Sequence, residues 1–348
     1  MLSKRKCPTR HATGEGVPMT RSRCARAARW VAALAFAGMA LAGPASAESI
    51  RIGLLKYGTV NWEIDVIKAN GFDKAHGIEL DVRELAGRDA STIALQAGDV
   101  DVIVADWLWV GIQRSEGADY TFMPYSKTVG SVMVPADSTI KTVADLKGKR
   151  LGIAGGPLDK SWLLLRGLAE QEAGIDLDSS VEKVFGAPPL LNEQMLAGRL
   201  DAVLNFWHFA ARLEAAGMRP AIGIEGVLDT LGVKAEVPLL GYIFDAKWAA
   251  AHKDAVLGFA AASRDAKKLL GESDAEWDRI RPLTRAEDDK TFVALRDNYR
   301  RGIPTRWGEA ERDAARKTFA ILAKLGGEKL VGKAETLPEG TFWPDLTY

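Results

Sequence analysis

The chain has 348 residues, which predicts two domains, and its 46 Lys and Arg balance 46 Asp and Glu. The balance is uneven along the chain: the first 47 residues hold eight Lys and Arg and one Glu, leaving 38 basic and 45 acidic residues and a charge of −7 in the remainder. An acidic body without a basic stripe excludes nucleic acid as a partner, and with both cysteines, Cys7 and Cys24, in the first stretch the rest has neither disulfide nor thiolate chemistry.

That first stretch reads as a leader. Arg21, Arg23, Arg26 and Arg29 precede an apolar run over 30–41, and Gly43-Pro44-Ala45-Ser46-Ala47 supplies small residues of the Ala-x-Ala kind, predicting a secretory signal peptide over 1–47 cleaved after Ala47. The run is too short for a permanent anchor, and no Arg-Arg pair precedes it, so the general secretory route is expected. Met1 and Met19 both remain open as the start. No cysteine stands at the cleavage point, so a free periplasmic protein is expected rather than a lipid-anchored one.

Ile50, Ile52 and Leu54 alternate with Arg51 and Gly53 as a first strand. The loop Tyr57-Gly58-Thr59 leads to a helix from about Asn61, broken at Gly71 and stopped at His76-Gly77. Ile78, Leu80 and Val82 alternate as a second strand, and Asp89 is placed to cap the next helix. A short helix is expected over 140–146, a strand over 151–154, and a helix carrying Leu158, Trp162, Leu165 and Ala169 that ends at Gly174. A strand over 181–185 and Pro188-Pro189 at a helix start follow. Beyond a strand over 239–244 the pattern is mostly helical. Alternating strands and helices predict parallel sheets with helices on both faces.

One step occurs twice. Ala97-Gly98-Asp99-Val100-Asp101-Val102 leads to Asp106-Trp107, and Ala197-Gly198-Arg199-Leu200-Asp201-Ala202 leads to Phe206-Trp207. Each reads as a helix stopped at glycine, then a buried strand ending in tryptophan. Ligands of open α/β sheets sit at such carboxyl ends, so the repeat predicts two similar lobes facing a cleft.

Three segments resemble the periplasmic solute-binding proteins of ABC importers, in the branch for nitrate, taurine, alkanesulfonates and thiamine-pyrimidine precursors. Asn70-Gly71-Phe72-Asp73-Lys74-Ala75-His76-Gly77-Ile78-Glu79-Leu80 is similar to the branch's first helix and second strand. Lys141-Thr142-Val143-Ala144-Asp145-Leu146-Lys147-Gly148-Lys149-Arg150-Leu151-Gly152 is similar to the start of its second lobe. Ala197-Gly198-Arg199-Leu200-Asp201-Ala202-Val203 is similar to a late strand of that lobe. The resemblance implies a type II periplasmic binding fold: α/β, two lobes, each a mainly parallel sheet flanked by helices, joined by two crossing segments near 131–134 and 238–242. Lobe 1 would comprise 48–133 and 239–348, and lobe 2 would comprise 134–238.

Several residues are candidates for contact with a solute. Gly155-Gly156-Pro157, between a strand and a helix N-terminus, suits a carboxylate, sulfonate or phosphate, with Lys160 and Ser161 assisting; it also fits an ordinary turn. Tyr57, Gly58 and Thr59 hold the equivalent place in lobe 1. Asp106 reads either as a helix cap or as a contact that would favour an amine, a hydroxyl or a cation. Trp107 and Trp207 are candidates for stacking or cation–π contact, whereas Trp109 and Trp162 fit buried helix faces. Asn205 can donate and accept. Trp62, Tyr125, Ser126, Lys127 and Glu236 are weaker candidates. The histidines outside the leader, His76, His208 and His252, lack metal-ligand spacing, and no nucleophile elbow or Cys/His pair occurs, so no metal, cofactor or catalytic residue is expected.

The expected function is the substrate-binding component of an ABC importer. It would trap a small polar organic solute, sulfonate-like, pyrimidine-like or amine-bearing, and deliver it as a monomer to an inner-membrane permease with separate ATPase subunits. The alternative is a periplasmic accessory protein of the same fold serving a redox enzyme.

Overall fold

The computed structural model describes residues 47–56 and 58–348; the expected signal peptide, up to Ser46, and Tyr57 lie outside the described residues. The amino-terminal third runs β1 (Glu48–Leu55), α1 (Val60–Ala69), α2 (Phe72–Ala75), β2 (Ile78–Leu85), α3 (Arg88–Gln96), β3 (Val102–Asp106), α4 (Trp107–Ser115) and β4 (Tyr120–Ser126). Ile50, Ile52 and Leu54 are buried, as their alternation predicts. Gly71, at φ 68°, separates α1 from α2 where other residues would be strained. Asp89 stands in the first turn of α3 and does not cap it, because Gly87 holds the cap position.

The middle third runs β5 (Gly130–Val134), β6 (Arg150–Ala154), α5 (Lys160–Ala173), α6 (Leu177–Ser180), β7 (Glu182–Gly186), α7 (Pro188–Leu196), β8 (Ala202–Phe206), α8 (Trp207–Ala215), β9 (Arg219–Gly223) and α9 (Ile224–Thr230). The helix expected over 140–146 is only a 3₁₀ turn at Ala144–Leu146. The Asp145 carboxylate accepts from the backbone amides of Lys141 and Thr142 at 3.0 and 2.9 Å, which ties the chain into a turn instead. The last third holds β10 (Leu240–Asp245), then α10 (Ala246–Ala251), α11 (Lys253–Glu272), α12 (Asp274–Thr284), α13 (Asp289–Arg301), α14 (Glu309–Gly326) and α15 (Glu328–Val331).

The strands form two five-stranded sheets, ordered β2-β1-β3-β10-β4 and β7-β6-β8-β5-β9. In each sheet one strand, β10 or β5, runs against the other four, so both sheets are mainly parallel. Segment 131–134, expected as a crossing, is instead a strand between β8 and β9, because its alternating backbone groups are taken up on both edges. The chain passes between sheets at 127–129 and returns after α9, reaching β10. Both passages emerge at the carboxyl ends of the parallel strands, since Leu240 pairs with Asp106 and Gly130 pairs with Phe206. The carboxyl-terminal helices span both sheets' helices: α13 packs on α8 and α14 on α5.

The repeat is structural and extends further than its helix stop. Gly98 and Gly198 take φ 73° and 67°. Three residues on, Asp101 accepts from the Arg51 amide and Asp201 from the Arg150 amide, each at 2.8 Å, and each arginine side chain returns to its aspartate and to the carbonyl of Gly98 or Gly198. Gly53 and Gly152, two positions after those arginines, leave room for neighbouring side chains; a Cβ there would lie 2.7 Å from Leu85 or Leu200. Both lobes thus lock the first strand to the strand after the repeat by the same clasp.

Candidate functional site

The carboxyl ends of β3 and β6 meet through one carboxylate. Asp106 ends β3 in extended backbone and caps α4, its Oδ1 accepting from the Trp109 amide at 3.0 Å. Its Oδ2 accepts from Lys160 Nζ at 2.9 Å and from Arg88 Nη2 at 3.5 Å. Lys160 opens α5 on the second sheet, so the ion pair bridges the two sheets. Burial opposes charge on Asp106, which is 4% exposed, yet Lys160, Arg88 and the Trp109 amide hold its carboxyl below the ordinary range. Asp106 is the helix cap of the first reading, and its second oxygen is taken by the protein's own cations, Lys160 and Arg88.

The glycine loop does not present an open anion site. Gly155 and Gly156 take φ 85° and 86°, and the loop folds over Asp159, whose Oδ2 would lie 2.6 Å from a Cβ on Gly155. Asp159 caps α5, accepting from the amides of Ser161 and Trp162 at 2.9 and 3.1 Å. The donors expected to receive a ligand anion therefore serve an internal carboxylate. Burial pushes the Asp159 carboxyl above its ordinary value despite Lys160 and the capping amides.

The aromatic and amide candidates divide. Trp107 is fully buried, its Nε1 donating to the Pro238 carbonyl at 3.0 Å, so it braces the return passage and offers no face for stacking. Trp162 is buried as expected, while Trp109 is only partly buried and packs on Tyr120, the rings tilted by 34° with centroids 5.1 Å apart. Trp207 sits edge-on to Trp62 at 6.0 Å, joining α8 to α1. Asn205 is saturated by internal bonds: its Nδ2 donates to Pro188 and Asn192 and its Oδ1 accepts from Phe206. Gly58 donates to the Leu55 carbonyl and Thr59 accepts from the Trp62 amide, so both shape the start of α1.

Lys127 and Glu236, one in each passage between the sheets, form an ion pair at 2.6 Å, and Glu236 also accepts from the Thr305 amide and hydroxyl. Burial opposes the charge of Glu236, but these bonds hold its carboxyl below the usual range. Ser126 and Thr128 hydroxyls bond to each other beside them.

Sequence reasoning missed Arg88, Asp159 and a buried network around Glu63. Asp159 had a local signal, standing two residues before Ser161 at the head of a helical pattern. Glu63, fully buried, accepts from Lys267 Nζ at 2.7 and 2.8 Å, Tyr242 at 2.7 Å, Ser263 at 2.6 Å and Tyr299 at 3.2 Å, with Lys267 also 4.9 Å from the Tyr125 ring centre. Tyr125 is thus a buried core residue of β4, facing this network. No local pattern links Glu63 to Lys267, which are 204 positions apart.

A cavity of about 520 Å³ lies beside this junction, among β5, β9, α8 and α13, with Ser131, Trp207, Glu214, Glu225, Asn298 and Arg301 in its wall. Among the described residues no group of His, Cys, Asp and Glu is placed to hold a metal ion, and no helix is long and apolar enough to cross a membrane. Burial pushes His208 down to about 4, leaving it neutral at pH 7, while His76 pairs with Asp265 and His252 with Glu48.

The fold is similar to that of solved binding proteins. The periplasmic aliphatic sulphonate binding protein SsuA of Escherichia coli superimposes with a TM-score of 0.68 at 19% identity, covering 85% of this chain and 92% of that one. The alkanesulfonate-binding protein SsuA of Xanthomonas axonopodis pv. citri, bound to MOPS, gives 0.61 at 19% identity over 87% and 99%. An ABC transporter protein of Parabacteroides distasonis gives 0.60 at 12% identity over 86% and 99%. No curated protein matches the chain. At these identities the likeness establishes a two-lobed periplasmic binding fold. Residues 64–273, more than half the chain, match the family described as NMT1/THI5 like, and the chain belongs to that family.

Proposed function

We propose that the protein is the periplasmic solute-binding component of an ABC importer, closing two lobes on a small polar organic solute and delivering it to an inner-membrane permease with separate ATPase subunits. The observation that carries this reading is the Asp106–Lys160 bridge, which joins the carboxyl ends of two sheets between which the chain passes near 127–129 and again near 231–239. Such a pair is one latch between the lobes, beside the packing of α13 on α8 and α14 on α5, and a solute of the right charge can replace one partner. The sulfonate-binding relatives of like fold support a binding role.

In this reading the leader is removed after Ala47, the mature protein works as a monomer, and the lobes divide at the two passages. Gly58, Thr59, Asp106, Gly156, Lys160 and Trp207 face the closing surfaces, and the chain catalyses no reaction. Asp106 and Asp159 beside cations that are already engaged suit a simple sulfonate poorly and favour an amine-bearing or pyrimidine-like solute. No feature of the fold favours the accessory role to a redox enzyme.

Native mass spectrometry of the protein purified from its host tests the reading. A co-purifying small molecule that raises the Tm of stripped protein is the expected result. Absence of any such molecule, together with no stabilisation across a broad panel of solutes, would overturn it.

A further inference from the structure

Resting on the solute-binding reading, we infer that the solute chamber is the cavity among β5, β9, α8 and α13, and that it receives a primary-amine cation carried on an apolar or aromatic body. The cavity's volume of about 520 Å³ lies in the range of small-molecule sites. The junction at Asp106 is closed by comparison: Asp106, Trp62 and Trp107 are all at most 5% exposed, and Lys160 already holds the place a ligand cation would take.

The chamber's charge selects the ligand. Three of its wall residues are charged: Glu214, Glu225 and Arg301. Arg301 lies 4.0 Å from Glu214, which also accepts from Asn298 Nδ2 at 2.8 Å, so the single cation is already shared with a carboxylate. Among the described residues no hydrogen bond or ion pair engages Glu225, and burial raises its carboxyl above the ordinary value. The wall carries two carboxylates and one guanidinium, and no cation is in direct contact with Glu225 although Lys127 and Arg301 lie near it, so an anion entering here would meet an excess of negative charge, whereas an ammonium would pair with Glu225 and gain charge-assisted hydrogen bonds. The Trp207 ring, Met133, Ala210 and Ile224 supply the apolar body's surroundings, and Ser131 adds a hydroxyl. Asn298 and Arg301 belong to α13, beyond the return passage, while the remaining wall lies in the first passage or between the two passages. A ligand here therefore touches chain from both sides of the hinge.

Isothermal titration of the mature protein with benzylamine, benzyl alcohol and benzenesulfonate, three rings of similar size and different charge, tests the assignment. Benzylamine is expected to bind, benzyl alcohol more weakly and benzenesulfonate not at all. Glu225→Gln, at a side chain without internal bonds, is expected to weaken benzylamine about tenfold or more. Ser131→Phe, filling the chamber, is expected to abolish binding, with its melting curve confirming that it folds. Benzenesulfonate binding in preference to benzylamine, no binding by any probe, or benzylamine binding unchanged by Glu225→Gln but lost in Asp106→Asn would each overturn the proposal. None of these would remove the solute-binding reading, which stands or falls on the molecule that co-purifies from the host.

Discussion

Asp106 Oδ2 and Lys160 Nζ lie 2.9 Å apart, joining the last residue of a strand in one sheet to the first residue of a helix on the other. One carboxylate thus terminates a strand, caps a helix and latches two sheets. Its removal has more than one consequence, and the two oxygens separate them.

Asp106→Ala loses both the cap and the bridge and leaves Lys160 unpaired, so a loss of about 3–5 kcal/mol is expected by urea denaturation. Lys160→Met leaves Asp106 the Trp109 amide and Arg88, so its cost is smaller. In small-angle scattering Lys160→Met is expected to increase the radius of gyration by opening the lobes. An unchanged radius in Lys160→Met would mean that the bridge does not hold the lobes together.

The pH dependence follows from the same group. The folded carboxyl of Asp106 titrates below its unfolded value, so its contribution is present above about pH 4 and lost as pH falls through the folded value. The difference in stability between wild type and Asp106→Asn is therefore expected to shrink below about pH 4. Asp159 behaves in the opposite sense, because its folded value is raised: charge on it costs stability at neutral pH, and protonation relieves that cost. Asp159→Asn keeps a capping side chain, so a neutral or slightly stabilising effect is expected at pH 7, fading as pH falls. Thermal melts of both variants between pH 3 and pH 7 check the two signs.

Two adjacent glycines should differ. Gly155→Ala puts a Cβ 2.6 Å from Asp159 Oδ2 at a φ of 85°, whereas Gly156→Ala meets nothing within 4 Å at a φ of 86°. The second substitution is expected to cost about 1–2 kcal/mol for the left-handed backbone alone. The first should cost more, by displacing the cap of α5. Equal losses in chemical denaturation would show that the loop does not depend on Asp159.

Glu63 and Lys267 form a buried pair supported by two tyrosines and a serine. Lys267→Met strands the carboxylate and is expected to cost about 3–5 kcal/mol. The double variant Glu63→Gln with Lys267→Met removes both charges, and it should be more stable than Lys267→Met alone. A double-mutant cycle by thermal denaturation reads the coupling; additive losses would show that the two charges act independently.

Much of this architecture was legible in short stretches of chain. The alternation of Ile50, Ile52 and Leu54 and the helix stops at Gly98 and Gly198 placed the first strand and the repeated step, because strand period and left-handed glycine are local properties. Arg51-Ile52-Gly53 and Arg150-Leu151-Gly152 carried the other half of the clasp. That likeness becomes meaningful only once Asp101 and Asp201 are seen to grip those arginines. β4, β5 and β9 had no such signature. The places of β4 beside β10, of β5 beside β8 and of β9 beside β5 are set by hydrogen bonds to strands remote in sequence.

The two-lobed layout is readable from local patterns, since repeated turns and periodic burial are written within a few residues of one another. The partners of the candidate residues come from tertiary contacts alone. Asp106 acquired Lys160 across 54 positions, Trp107 turned from a candidate ligand contact into the brace of Pro238, and the chamber wall gathered Ser131, Glu225 and Arg301 from three distant segments. Periodicity fixes which face of an element is buried, but which buried faces meet depends on how the two passages fold the sheets together.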